Sequence, residues 1–189
     1  MTDTLEYEFK YFADHIKLSD FKNLLNSLGP LKIEEVSSYD TYFVKENSED
    51  EFQRFRESDK PELTKKVKLK AGNNFKRVES DLALDAARVT LDQVRFHVGL
   101  DGYKQNFRIF KACTLFWFSD INVVYYTVMD EEHNKLASYC EVEVIKSRVK
   151  ELGEEAAYQQ LKDFEKKLEP LGITPQHRLK RSLFEIYRK

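Results

Sequence analysis

Cysteine is scarce in this chain of 189 residues. Cys113 and Cys140 stand 27 positions apart, and neither belongs to a CxxC pair, so a disulfide framework and a zinc cluster both lack support. Glycine and proline number six and four, too few for a collagenous or low-complexity chain. No run approaches the roughly 20 apolar residues of a membrane-spanning helix. The opening MTDTLEYEFK places charges where a secretory leader needs an apolar stretch. An excess of one charge is lacking too: 31 basic against 33 acidic residues leave a net −2, which gives no general basic field for nucleic acid. These absences predict a cytoplasmic protein with reduced thiols and with neither membrane nor nucleic acid as a partner. A monomer and a homodimer are equally compatible with them.

The chain is rich in core-forming side chains. Hydrophobic residues make up 41% and aromatic ones 13%, more than a disordered chain carries, and the length suits a single domain over residues 1–189. Three amphipathic helices are expected. Phe21, Leu24, Leu25 and Leu28 form the apolar face of one that Ser19 can cap and Gly29-Pro30 stops. Leu84, Ala87, Leu91, Val94 and Val98 lay a stripe along a second, ending near Gly99. Ala157, Leu161, Phe164, Leu168 and Leu171 do the same for a third, closed by Pro170 and Gly172. Eight segments dense in β-branched and aromatic residues read as strands: 5–11, 39–45, 52–57, 63–70, 75–81, 106–118, 122–129 and 138–145. Turn sequences such as Ala71-Gly72-Asn73-Asn74 and 130–134 join neighbours at hairpin distance, which predicts a mostly antiparallel sheet.

The polar faces of these strands are almost wholly ionic. Successive side chains point to opposite sides, so Glu6, Glu8 and Lys10 share a face opposite Leu5, Tyr7, Phe9 and Tyr11. Arg54 and Arg56 flank Phe55; Lys66, Lys68 and Lys70 alternate with Val67 and Leu69; Arg77, Glu79 and Asp81 share a face; Glu141 and Glu143 flank Val142. One charged face is ordinarily the solvated side of a sheet. Several together, with Arg108 and Lys111 added, point to strands curled round a shared interior. The set holds nine basic and six acidic groups, +3 in a chain that is negative as a whole. A barrel of about eight strands leaves room for one small ligand, and unpaired charge inside it costs several kcal/mol per group. A polyanion is therefore the expected ligand, with Arg and Lys on phosphate oxygens. Clustered Glu oxygens suit a hard divalent cation, Mg²⁺ or Mn²⁺, that bridges those phosphates.

In chain order, the ExExK strand Glu6-Tyr7-Glu8-Phe9-Lys10, then Arg54-Phe55-Arg56, Lys68-Leu69-Lys70-Ala71-Gly72, Arg77-Val78-Glu79 and Glu141-Val142-Glu143 resemble the motifs of the CYTH superfamily. These triphosphate tunnel metalloenzymes include class IV adenylate cyclases, thiamine triphosphatases and inorganic tripolyphosphatases. Asp130, ahead of the segment 136–143, and the tail Arg181-Ser182-Leu183-Phe184 match further landmarks, so the resemblance covers nearly the whole chain. It implies an α+β fold, an eight-stranded antiparallel β-barrel closed into a tunnel and flanked by helices. It implies Mg²⁺ or Mn²⁺ on Glu6, Glu8, Glu141 and Glu143, with Asp130 a weaker candidate, and triphosphate on Lys10, Arg54, Arg56, Lys68, Lys70 and Arg108. The charge pattern adds Lys66, Arg77 and Lys111 to the phosphate set. Two departures stand out: three lysines alternate where the family has one, and Lys70-Ala71-Gly72 lacks the Gly-Pro that often follows that lysine in the cyclases.

The expected chemistry is metal-dependent hydrolysis of the terminal phosphate of a nucleoside triphosphate, thiamine triphosphate or inorganic tripolyphosphate. Glu8, Arg56 and Lys70 would act in it directly. Glu79 would accept the water proton unless a salt bridge to Arg77 or another neighbour claims it. Phosphoryl transfer through a loose transition state needs positioning and charge neutralisation more than covalent chemistry, and a charged tunnel supplies both. The alternative is class IV cyclisation of ATP to cyclic AMP and pyrophosphate; retention of both Glu141 and Glu143 leans toward hydrolysis. A second alternative is a non-catalytic module binding polyphosphate or a nucleotide. His15, His97, His133 and His177 lack ligand spacing. Phe116, Trp117 and Phe118 read as packing residues, and Cys113 and Cys140 as inert thiols.

Overall fold

Alternation of apolar and ionic residues makes strands with one dry face and one wet face, and the fold uses both. The protein is described by a computed structural model over residues 3–46, 48, 50–68 and 76–188; for 3–6, 76 and 77 only the backbone is described. Among these residues the strands are β1 (Asp3–Phe12), β2 (Lys32–Lys45), β3 (Glu51–Glu57), β4 (Glu62–Lys68), β5 (Lys76–Ala83), β6 (Tyr103–Trp117), β7 (Ile121–Met129) and β8 (Lys135–Val144). All pair antiparallel, in the ring order β1-β5-β4-β3-β2-β6-β7-β8, which returns to β1. The helices are α1 (Leu18–Ser27), α2 (Leu91–Leu100), α3 (Lys146–Leu152), α4 (Glu154–Lys167) and α5 (Leu183–Tyr187). The expected α+β barrel with flanking helices is the fold observed.

Closure of the ring is staggered. The first half of β1, residues 3–7, pairs with β5, and the second half, residues 8–12, pairs with β8, so among the described residues each half is laced into the sheet on one side. The C-terminal segment lies alongside the second half. The Leu179 amide donates to the Lys10 carbonyl at 2.7 Å and Arg178 bridges to Tyr11. The Arg178 guanidinium sits 3.7 Å from the centre of the Phe9 ring and donates to buried Glu165, which also accepts the Tyr11 hydroxyl at 2.7 Å. The seam is thus held by an ion pair, a ring contact and main-chain hydrogen bonds together.

The dry faces point outward, where the helices cover them. Phe9, Phe116 and Val142 of the barrel pack with Phe21 and Leu25 of α1 and Leu161 of α4. On the far side, Val94 and Val98 of α2 pack on Phe43 and Phe55. The second helix is shorter than its stripe suggests. Thr90 accepts the Gln93 amide while the Gln93 side chain accepts the Thr90 amide, a capping box that starts the helix at Leu91; Leu84 precedes it as loop. The first helix begins at Leu18 without a side-chain cap, so Ser19 is inside it. β2 starts at Lys32, earlier than its expected 39, because its first half pairs with β6. The short helices α3 and α5 have too few residues to show periodicity.

Candidate functional site

The inward faces divide the bore along its length. At one end Tyr42, Phe52, Phe107 and Tyr126 meet Leu183 and Phe184 of α5 in a buried cluster. Phe184 stacks on Phe52 with ring centres 4.6 Å apart, and Tyr42 on Phe107 at 4.4 Å. This apolar plug fills that end. Beyond it lies a cavity of about 920 Å³ with a largely ionic lining, a size that accommodates a small organic ligand. In the ring order β1 and β8 stand three or four positions from β2 and β3. Glu8, Lys10, Glu141 and Glu143 therefore face Arg54 and Arg56 across the cavity, with Asp40 buried behind Arg56.

The cations are paired with carboxylates of the chain itself. Fully buried Asp40 accepts Arg56 at 2.9 and 3.0 Å and Lys111 at 2.7 Å. Lys10 lies 2.8 Å from Glu141 and 3.5 Å from Glu8. Arg54 donates to Glu62 at 3.2 Å and to Thr64 at 3.1 Å. Glu79 is held between Lys66 and Lys146, the latter at 2.6 Å. Among the described lining residues carboxylates outnumber cations, nine to seven. This count is not that of the expected +3 set: Glu62 and Lys146 join the lining from β4 and α3, Arg108 and Lys68 lie outside it, and the side chains of Glu6, Lys70 and Arg77 are outside the described residues.

These pairings set the protonation states. Burial alone would raise the Asp40 carboxyl, but Arg56, Lys111 and Arg54 outweigh it and hold it well below the usual carboxylate range. Burial likewise opposes Glu141, yet Lys10 and Lys111 bring it down to about 2. For Glu79, Lys66, Arg54 and Lys146 overcome burial and depress it strongly. Burial, reinforced by Arg56, lowers the Lys111 ammonium, with Asp40 opposing. Burial and Asp40 push the Tyr42 hydroxyl up to about 12.

Of the expected site residues, the cavity brings together Glu8, Lys10, Arg54, Arg56, Lys66, Glu79, Lys111, Glu141 and Glu143. Others go elsewhere. Arg108 is corrected to the outer face: it is an odd number of positions from inward Lys111, and it pairs with Glu57 at 2.9 Å over the Tyr39 ring. Asp130 is corrected from a metal candidate to a turn residue between β7 and β8, where it accepts the Asn134 amide at 2.8 Å outside the cavity. Glu79 is corrected from a base to a salt-bridge anchor, since two ammonium groups make its carboxylate a poor proton acceptor. Lys68 sits at the plug end, 2.8 Å from Glu185 of α5. Lys70 lies outside the described residues; Glu6 and Arg77 pair in the β1–β5 register, and their side chains are outside the description. Trp117 departs from the packing role of Phe116, since it lines the cavity and donates its indole N–H to Glu34 at 2.7 Å. With Cys113, Leu115 and Val124 it makes an apolar strip beside the ionic walls. Burial pushes both the Cys113 and Cys140 thiols up.

Among the described residues no three His, Cys, Asp or Glu side chains form a metal-binding group. Two carboxylates nonetheless stand side by side on the β1–β8 wall, with Lys10 3.5 Å from one of them. Glu8 and Glu143 stand directly opposite each other in the β1–β8 register, and both line the cavity. Like charges so placed repel, and a hard divalent ion relieves the repulsion. Mg²⁺ is commonly held by one or two carboxylates together with substrate phosphates, so this donor set fits Mg²⁺ or Mn²⁺.

No family model and no curated protein matches this sequence. Solved structures do match. A conserved hypothetical protein from Pyrococcus furiosus is similar at a TM-score of 0.73 and 21% identity, covering 97% of this chain and 99% of its own. A candidate adenylate cyclase from Vibrio parahaemolyticus gives 0.69 at 13% identity, covering 97% of each chain. Another from Bacillus halodurans gives 0.64 at 13%, covering 99% of each. These likenesses run nearly end to end and show a shared fold. Among the described residues no helix is long and apolar enough to cross a membrane.

Proposed function

We propose that the cavity takes the triphosphate of a small organic molecule and that the protein is a divalent-metal-dependent enzyme of the CYTH kind acting on it. The observation that carries this reading is the Glu8–Glu143 pair on one wall set against Arg54 and Arg56 on the opposite wall of a bore plugged at one end. The Arg54 Nε is buried and makes no hydrogen bond, an N–H suited to an anionic oxygen. A Mg²⁺ or Mn²⁺ ion held by Glu8 and Glu143 would supply charge neutralisation at the phosphate oxygens.

The internal ion pairs are compatible with this role. Lys10 and Lys66 can exchange a carboxylate partner for a phosphate oxygen and so remain compensated throughout. Arg56 and Lys111 stay on Asp40, which presents them as one fixed cationic unit and limits their reorganisation. The strip of Cys113, Leu115, Trp117 and Val124 favours an organic triphosphate over bare tripolyphosphate. Hydrolysis of the terminal phosphate is the first reading of the reaction. Cyclisation of ATP is the second, supported by the two fold neighbours named as candidate adenylate cyclases.

Incubation of the purified protein with Mn²⁺ and, in turn, ATP, thiamine triphosphate and tripolyphosphate tests this. Separation of cyclic AMP from orthophosphate and pyrophosphate identifies the reaction. Metal-dependent turnover of an organic triphosphate is expected. Tight binding of all three with no product would leave a binding module and sink the enzymatic reading.

A further inference from the structure

We infer that Asn122 is a third ligand of the cation site, completing a row of oxygen donors with Glu143 and Glu8; this rests on the metal-dependent reading above. Asn122 of β7 stands opposite Glu143 of β8, and Glu143 stands opposite Glu8 of β1. The three form one row across three adjacent strands, and all three line the cavity. Directly opposed residues have Cβ atoms about 4.5–5.5 Å apart, close enough for their side-chain oxygens to meet at one ion. The neighbouring row reads Val124, Glu141, Lys10. It holds one carboxylate against two in the Asn122 row and so offers fewer oxygen donors; its Lys10 lies nearer Glu141, at 2.8 Å, than Glu8, at 3.5 Å.

A second observation concerns Asn122 itself. Its Oδ1 is shut off from water and accepts no hydrogen bond. A buried carbonyl oxygen left unpaired is unfavourable and uncommon, and the two carboxylates beside it are acceptors that offer it no donor when ionised. A hard cation satisfies the orphaned Asn122 oxygen and can take the two carboxylates as further ligands, since amide carbonyls and carboxylates are its ordinary ligands. Two negative charges and one neutral donor on this row leave the other coordination positions for water and phosphate oxygens. The row also accounts for the lack of a purely acidic cluster, because one of its three ligands is an amide.

Mn²⁺ binding to the full chain without any triphosphate, followed by electron paramagnetic resonance of the free ion and by calorimetry, tests the inference. Asn122→Leu is expected to weaken Mn²⁺ binding roughly tenfold or more. Asn122→Asp keeps the shape, adds a charge and is expected to bind at least as tightly as the parent. It is read independently should the Leu variant melt early by circular dichroism. Glu143→Gln should lose binding. If both Asn122 variants bind like the parent while Glu143→Gln is impaired, the role of Asn122 is overturned and the metal site stands. If the parent binds no Mn²⁺, or Glu8→Gln and Glu143→Gln leave binding unchanged, the metal-dependent reading falls and takes the inference with it.

Discussion

Asp40 grips Arg56 with both carboxylate oxygens, Oδ1 to Nε at 2.9 Å and Oδ2 to Nη2 at 3.0 Å, from a position with no solvent exposure. The fork is the strongest geometry open to an Arg–carboxylate pair, and Lys111 joins it at 2.7 Å. A single acid therefore compensates two cations, half-buried Arg56 on β3 and buried Lys111 on β6. This wall sets two cations on one acid, whereas on the β1–β8 wall Lys10 lies between Glu8 and Glu141 and Glu143 stands opposite Glu8.

Removal of Asp40 should accordingly be severe. Asp40→Ala strands buried Lys111 as an uncompensated charge and takes half-buried Arg56 off its carboxylate, and breaking a buried pair from one side costs about 3–5 kcal/mol. Urea unfolding of the Ala variant should show a loss of this size. The combination Asp40→Leu, Arg56→Met, Lys111→Met should recover much of it, since it leaves no orphaned charge. A loss under about 1 kcal/mol for Asp40→Ala, typical of an exposed pair, would contradict the compensation described here.

The barrel and its charged interior were legible in the sequence because side-chain direction alternates strictly along a strand. Leu5 to Tyr11 against Glu6 to Lys10, or Cys140 and Val142 against Glu141 and Glu143, can be sorted by counting alone. The same parity would have separated Arg108 from Lys111, which cannot share a face. Asp40 was missed because its burial depends on Arg56, sixteen positions away, and on a strand much further along. A lone acid in Tyr39-Asp40-Thr41 carries no mark of that. Lys146 was missed because it reaches the bore from the first residue of α3, not from a strand. Asn122 was missed because an amide carries no charge to count.

Acid should weaken the fold through three groups. The Asp40, Glu79 and Glu141 carboxyls are all lower in the folded chain than in the unfolded one, where the usual values are about 4. The unfolded state then binds more protons, and stability rises with pH. Their contribution is complete above about pH 5 and is lost as pH falls from about 4 through the folded values, with Glu141 reaching its own at about 2. Unfolding free energies measured between pH 2 and 7 should follow that course. Glu141→Gln should flatten part of the fall, and an unchanged profile in that variant would rule out its share.

The Glu8–Glu143 pair makes a prediction that turns on the ion. With Mn²⁺ at a hundred times its dissociation constant the parent should gain about 2.7 kcal/mol, and Glu143→Gln should gain far less. Melting curves of both proteins with and without the ion decide the matter. An equal gain in both proteins would mean that Glu143 does not hold the ion.

The plug end offers the last test. Phe184 is buried on Phe52, and its helix is started by a capping box in which Ser182 and Glu185 bond reciprocally. Glu185 also holds Lys68 at 2.8 Å, so ring, cap and ion pair all fasten one short helix. Phe184→Ala should cost about 3–5 kcal/mol of the stability of that end of the barrel, against about 1 kcal/mol for Ser182→Ala. Hydrogen exchange should show the α5 amides opening first in both variants, more in the former, with the β7 and β8 amides kept protected. If Phe184→Ala instead unfolds the whole barrel at the same rate as α5, the plug is part of the folding core and not a separable closure of the bore.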